Sequence, residues 1–265
     1  MYIGVHLKKQ KTLQKTIQNI QKLGGNALQF FSGNPRSGKL TESTIQRHID
    51  EAEVIKQMDV ALVIHSAYTI NVANTDMWIQ KAILNDLLIA HHLGCRGVVI
   101  HVGKYTSKTV EEGLNNMKIC VMNVIKHMKK HKLKTKLILE TAAGQKSELL
   151  SDIKDFCEFY NMINEPDYFD LCFDTCHVWS AGFDIVEAYN YIQKETNNAI
   201  SVVHVNGSKT PFNSKKDRHE CLWEGSIPLD KLTKFLKNVS REDSILILET
   251  PDEDPKEIAF LFKQF

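Results

Sequence analysis

Short apolar runs recur along the chain, at 2–5, 27–31, 60–64, 97–100, 137–139, 169–173, 200–203 and 244–248. They are rich in Val, Ile, Leu and Phe without alternating polar positions, as expected of strands buried on both faces of a parallel sheet. Between them the apolar positions fall at helical spacing. Leu13, Ile17, Ile20 and Leu23 share one face of a first helix, Ile45, Ile49, Ala52 and Ile55 a second, and Ile79, Ile83, Leu87 and Ala90 a third. Further helices are predicted over 117–128, 149–160, 185–192, 229–236 and 255–262, with Pro228 and Pro255 where a helix N-terminus is expected. Eight strand–helix units in 265 residues predict an α/β protein, a (β/α)8 TIM barrel forming a single domain over residues 1–265. A doubly wound open sheet would mark its first turn with a glycine fingerprint, and none follows the first strand.

Composition narrows the setting. The chain is 43% hydrophobic, enough for a sizeable core, and its 33 basic and 32 acidic residues leave a formal charge of +1. Nucleic-acid binding would therefore need local patches in place of a global field. Six cysteines, at 95, 120, 157, 172, 176 and 221, contain no CxxC pair and lie mostly in apolar segments. They read as reduced thiols of an intracellular protein, in a bacterial or viral cytoplasm or a nucleus. The N-terminus lacks a signal-peptide pattern, and no apolar run is long enough to span a bilayer, so no membrane partner is expected. A monomer is the default.

In a parallel barrel the C-terminal strand ends form the catalytic face. The predicted strands end at His6, His65, His101, Glu140, Asp174, His204 and Glu249, and the second strand runs into a loop with Asn34 and Arg36. Three residues after Asp174 comes His177, in what reads as a loop; the alternative is an Asp that caps the next helix, with the His incidental. A buried ionised carboxylate costs several kcal/mol unless paired or metal-bound, yet two apolar strands run straight into Glu140 and Glu249. Seven such strand tips together predict a polynuclear metal site, with too many ligands for one four-coordinate zinc. Asp217-Arg218-His219, after the seventh strand, can chelate through both the Asp and the His and, with His177, make a separate site. Imidazole and carboxylate without a convincing thiolate suit Zn, Mn or Fe(II), and Cys176 is left out. His6 lies outside this ligand set. Lys215, Lys216 and Arg218 reach the same face, where phosphates would be met. The basic run 126–136 leads into the fifth strand and belongs on the opposite face, as a solvated helix end that complements the helix dipole. His48, His91, His92, His127 and His131 fall in helical segments and read as surface or packing residues.

Several segments, in order over nearly the whole chain, resemble the endonuclease IV family of apurinic/apyrimidinic (AP) endonucleases. They are His65-Ser66-Ala67-Tyr68 with Ile70-Asn71, Leu139 to Gln145, Phe173 to His177 with Ala181 to Asp184, His204-Val205-Asn206, Asp217-Arg218-His219, Glu224-Gly225 and Leu248-Glu249-Thr250. The resemblance implies a barrel holding three zinc ions, with Mn2+ or Fe2+ acceptable at some sites. His65, His101 and Glu140 would hold one ion. Glu140 would bridge to a second, shared with Asp174, His204 and Glu249, and would thus be the catalytic residue. His177, Asp217 and His219 would hold the third. The implied partner is double-stranded DNA with abasic sites, cut on the 5′ side of the abasic sugar to leave a 3′-hydroxyl and a 5′-deoxyribose phosphate; trimming of blocked 3′ ends belongs to the same expectation. Arg36 and Tyr68 would enter the duplex, with Lys215, Lys216 and Arg218 on its phosphates.

The chain also departs from the family pattern. His101-Val102-Gly103 stands where the family has His-Pro-Gly, Lys146 replaces a glycine, and an aromatic residue is missing near Ser37–Leu40. These changes leave the ligands alone and bear on the DNA-contacting loops. Two rival readings are a sugar isomerase or epimerase on two ions, which needs no Asp-x-His loop, and a non-catalytic binder of damaged DNA, which needs no complete ligand set.

Overall fold

A computed structural model describes residues 1–239 and 243–265. Eight strands, β1 (Tyr2–His6), β2 (Ala27–Phe31), β3 (Ala61–His65), β4 (Gly97–Ile100), β5 (Lys136–Glu140), β6 (Phe169–Asp174), β7 (Ile200–His204) and β10 (Ile245–Leu248), close into one barrel in the order β1-β10-β7-β6-β5-β4-β3-β2. Each neighbouring pair is parallel. The helices are α1 (Leu13–Lys22), α2 (Glu42–Ile55), α3 (Met77–Leu93), α4 (Val110–His131), α5 (Ile153–Ile163), α6 (Thr175–Ala181), α7 (Ile185–Glu195), α8 (Leu229–Leu236) and α9 (Pro255–Phe262). A small antiparallel hairpin, β8 (Gly207–Ser208) with β9 (His219–Glu220), follows β7. The (β/α)8 expectation holds, and every predicted strand falls on an observed one.

The differences lie at helix ends and have local causes. The helix predicted over 149–160 begins at Ile153, because the Asp152 side chain accepts from the Lys154 N–H and starts it there. Leu149 and Leu150 are instead buried in the preceding loop. The helix predicted over 117–128 runs from Val110 to His131; Thr109 and Glu112 form a reciprocal capping box two turns upstream of the expected start. His177 is on the short helix α6 and not in a loop.

Inside the barrel, Ala27, Val63, Val99, Ile138, Cys172, Val202, Ile245 and Ile247 form an apolar cluster of their own, separate from the larger core between strands and helices. Side chains two apart on a strand share a face. One step of two from this cluster therefore aims His65, His101, Glu140, Asp174, His204 and Glu249 into the same interior, at its C-terminal mouth. The same step in the other direction reaches Lys136 and Asp170, which pair at 3.2 Å near the opposite mouth.

Candidate metal centre

Glu140 lies at the middle of the C-terminal mouth and is 1% exposed. Its Oε2 faces His65 Nε2 and His101 Nε2, each at 3.3 Å. Its Oε1 faces His204 Nδ1 at 2.9 Å and His177 Nδ1 at 3.4 Å. The two oxygens of one carboxylate thus address two sets of imidazoles. His204 Nδ1 also lies 3.1 Å from Glu249 Oε2 and 3.6 Å from Asp174 Oδ2. On the hairpin side, Asp217 Oδ2 is 3.3 Å from His177 Nε2 and Asp217 Oδ1 is 3.2 Å from His219 Nε2. In each of three groups, one donor atom per residue lies within 4.8 Å of the others: His65, His101 and Glu140; Glu140, Asp174, His204 and Glu249; and His177, Asp217 and His219.

Asp174 unites the two readings its sequence position allowed. Its Oδ1 accepts from the His177 N–H at 2.8 Å and so caps α6. Its Oδ2 accepts from the Asn206 amide at 2.7 Å and lies 3.6 Å from His219 Nε2. The cap is what turns the chain so that His177, on the first turn of α6, points back into the mouth.

The imidazoles are held by backbone and amide groups on their outer sides. His65 Nδ1 meets the Ser66 carbonyl at 2.8 Å, His177 Nδ1 the Thr141 carbonyl at 2.7 Å, and His219 Nδ1 the Glu249 carbonyl at 3.1 Å. His204 Nε2 meets the Gln29 amide oxygen at 2.9 Å. A carbonyl oxygen only accepts, so in each ring that nitrogen carries the proton and the other keeps its lone pair. The lone pairs of all four then face carboxylates, an arrangement that is repulsive without a proton or a cation between them. Among the described residues His219 Nε2 is buried with no well-aligned hydrogen-bond partner, although Asp217 Oδ1 lies 3.2 Å away. Outer carbonyls fixing the tautomer and inner nitrogens turned on carboxylates are what a metal-binding imidazole requires, so the donor set fits divalent ions.

Protons fill that role in part. Burial pushes Glu140 up, yet His101, His204 and His177 outweigh it and hold its carboxyl well below the usual range. Glu249 is held low in the same way, against burial, by His204 and His6. For His219, burial pulls downward, while Asp174, Asp217 and Glu249 raise it to about 9. His177 is raised well above its ordinary value against the same opposition, chiefly by Asp174, Asp217 and Glu140. Burial pushes the Cys172 and Cys176 thiols up to about 12, so both are neutral at physiological pH and the carboxylates carry the negative charge. Metal binding at such a set displaces protons from the imidazoles.

All nine residues singled out as ligands from the sequence meet at this mouth. His6 stands behind them, its Nδ1 2.9 Å from Glu249 Oε1. Among the expected DNA contacts, Tyr68 and Arg218 line the same 450 Å3 cavity. Tyr68 is 65% exposed, with its ring 5.1 Å from Phe31 and 6.3 Å from His101. Arg36 is exposed on the loop after β2 and lines a neighbouring groove. Lys215 and Lys216 are exposed on the hairpin loop, and the Lys215 ammonium donates to the Ala181 carbonyl at 2.5 Å.

Gln29 and Asn206 are positioning residues to which the sequence assigned no role, although Asn206 stands in the His204-Val205-Asn206 segment. Gln29 bonds His204 through its oxygen, and through its nitrogen donates to Glu249 Oε1 at 2.7 Å. Asn206 joins Asp174 to the Glu249 backbone N–H, the latter at 2.8 Å. Gln29 sits two residues above Ala27 in a strand otherwise read as apolar, and that single polar residue was the available signal.

The family profile described as a xylose isomerase-like TIM barrel matches residues 11–263. A curated relative from Persephonella marina, named probable endonuclease 4, is 31% identical over 262 residues, covering 94% of this chain and 90% of its own. Among solved structures, endonuclease IV from Thermus thermophilus superposes with a TM-score of 0.75 at 23% identity, covering 99% of this chain and 97% of that one. A D-tagatose 3-epimerase-like protein superposes with a TM-score of 0.77 at 19% identity, covering 100% and 96%. The two superpositions show the shared barrel; it is the sequence match that separates the two kinds of protein. From that match, and from the span of the family profile, the chain belongs to the xylose isomerase-like TIM barrels and, among them, to the endonuclease IV family.

Proposed function

We propose that this AP endonuclease, a phosphodiester hydrolase of DNA repair, cleaves duplex DNA on the 5′ side of an abasic sugar, leaving a 3′-hydroxyl and a 5′-deoxyribose phosphate, and also trims blocked 3′ ends. It works as a monomer inside the cell at a centre of three zinc ions, with Mn2+ or Fe2+ able to serve at some of the sites. Among the described residues no helix is long and apolar enough to cross a membrane.

The observation that carries the reading is the division of labour at Glu140, whose two oxygens face separate imidazole groups. His65 and His101 with Glu140 would hold one ion, Glu140 with Asp174, His204 and Glu249 a second, and His177, Asp217 and His219 the third. Bound ions of this kind supply Lewis acidity, making water nucleophilic near neutral pH and neutralising charge on a phosphoryl group. The chain's own residues do the rest. The carbonyls of Ser66, Thr141 and Glu249 and the amide of Gln29 fix which imidazole nitrogen points inward. Arg218 stands at the rim, where a guanidinium can pair with phosphate oxygens. Tyr68 and Arg36 flank the mouth and would occupy the gap where a base is missing, the site at which extruding a nucleotide costs least.

The third group speaks against a sugar isomerase or epimerase, which has no use for Asp217 and His219. A duplex with one abasic site is the discriminating substrate. Nicking should vanish on chelation and return with added zinc, at close to three ions per chain. Full cleavage by metal-stripped protein, or sugar isomerisation at one or two ions per chain, would overturn the reading.

A further inference from the structure

A second groove of about 720 Å3 adjoins the metal cavity and shares His6 and Phe31 with its wall. Its remaining lining comes from the loop after β1, the loop after β2 and the start of α2. Four cations, Lys8, Lys9, Arg36 and Arg47, lie along it, and among the described residues no Asp or Glu lines it. Against a formal charge of +1 for the whole chain, this wall is a local basic patch. Glu51, whose charge acts on Lys9, lies outside the lining and accepts from the Leu13 N–H at 3.0 Å, at the start of α1.

Beneath the groove the wall is rigidly built. Ser32, at the root of the loop that carries Arg36, donates its hydroxyl to buried Asp86 of α3 at 2.5 Å, and its carbonyl meets buried His48 Nε2 at 2.9 Å. Lys9 Nζ approaches that same His48 Nε2 at 3.1 Å. One ring nitrogen cannot both donate to the Ser32 carbonyl and accept from Lys9. With Ser32 and His48 both fixed in the core and His48 Nδ1 buried without a partner among the described residues, the Nε2 proton goes to the Ser32 carbonyl and the flexible lysine, on the groove side, is the partner that yields. Arg47, on the turn of α2 next to His48, is exposed on the same wall.

We infer that this groove carries the sugar–phosphate backbone of the duplex flanking the cleaved bond, with Lys9 and Arg47 contacting phosphates beyond the metal centre. The inference rests on the DNA-cleaving reading of the adjoining site and extends it to the path of the substrate. Contacts of this kind position the duplex and read no sequence, and each phosphate neutralised releases condensed counterions and steepens the salt dependence of binding.

The test is equilibrium binding of the zinc-loaded protein to an undamaged duplex over a range of salt, beside nicking of an abasic duplex. Lys9→Ala with Arg47→Ala should weaken binding roughly tenfold and lower the magnitude of the log–log salt slope by about two, one for each lost phosphate contact. The KM for abasic duplex should rise, and zinc content should match wild type. Arg47→Glu alone, at an exposed position, should act in the same direction. Lys130→Ala with Lys132→Ala, at the opposite end of the barrel, should leave the slope as it is. An unchanged slope in the Lys9 and Arg47 variant, or an equal fall in the Lys130 and Lys132 control, overturns the groove. If wild type nicks abasic DNA while the slope is unmoved, only this inference falls. If wild type fails to nick, the reading of the metal site falls, and the salt slope still judges the groove.

Discussion

The interior of the barrel has two levels made by the same strands and only two residues apart. On the lower level Val63, Val99, Ile138, Cys172, Val202 and Ile247 close a dry plug. On the upper level their i+2 neighbours are His65, His101, Glu140, Asp174, His204 and Glu249, four of them 3% exposed or less. Backbone geometry is the same at both levels; what changes is whether each polar group finds an opposite charge across the lumen. A lone carboxylate at either level would be costly, whereas a ring of carboxylates and imidazoles is held together by protons or cations placed between them. Asp86 completes the contrast. It is buried in α3 with the Ser32 hydroxyl as its hydrogen-bond partner, and burial pushes it up to about 7. Glu140, just as buried but ringed by imidazoles, is held well below its usual range.

The largest break in this comparison is expected from Glu140→Gln, which keeps the shape and removes the charge proposed to bridge two ions. Cleavage of an abasic duplex should fall by about three orders of magnitude or more, with zinc content reduced; near-normal turnover would contradict the bridging role. Next, Ile138→Asp moves a carboxylate one step down into the dry level, where no imidazole waits. It should destabilise the fold by about 3–5 kcal/mol, read as a fall in the denaturant midpoint, and an unchanged midpoint would show that the lower level can ionise as the upper one does.

Asp86 separates burial from ring formation through pH. The folded chain holds on Asp86 a proton that the unfolded chain releases above its ordinary value of 3.8, and the folded value is about 7. Its contribution is fully present below pH 3.8 and is lost as pH rises towards 7, with little further change above that. At about 1.4 kcal/mol per pH unit, the loss amounts to a few kcal/mol. Asp86→Asn has no proton to lose, so its Tm relative to wild type should climb between pH 5 and pH 8; a constant difference would argue against the raised value.

A smaller effect is expected from a change within the upper level that leaves every carboxylate and imidazole in place. Gln29→Leu removes the oxygen that orients His204 and the nitrogen that holds Glu249. Loss of such an outer partner should weaken metal affinity by about 10- to 100-fold, measured by competition with a chelator, with Tm of the metal-stripped protein little changed. Smallest of all, Arg36→Ala with Tyr68→Ala touches neither level. It should weaken binding to abasic duplex by roughly tenfold at wild-type zinc content, and unaffected affinity would remove both side chains from the DNA contact.

Much of this site is legible without any coordinates, because the apolar runs end in His, Asp or Glu and a closed parallel barrel brings strand ends to one rim. Less legible are features that depend on what lies across the lumen. Gln29 looks like an interruption in an apolar strand, and only the closure of β2 near β7 and β10 sets it between His204 and Glu249. His177 reads as a loop residue, since α6 is seven residues long and its apolar pattern cannot be told from that of a strand-end turn. The start of α5 is misjudged because Leu149 and Leu150 are apolar for the sake of a buried loop.

The eightfold alternation, the residue types at each strand tip and the Asp-x-His after β7, and so the class of donor available, follow from the order of residues alone. Those are local facts, written in the period of the apolar positions. Which nitrogen of each imidazole faces inward, how Glu140 divides its oxygens, and why Lys9 and Arg47 line a groove beside the metal mouth follow only from the closed fold. Such features rest on distances between atoms far apart in the chain, as with Gln29 and Glu249, and those distances exist only once the barrel has closed.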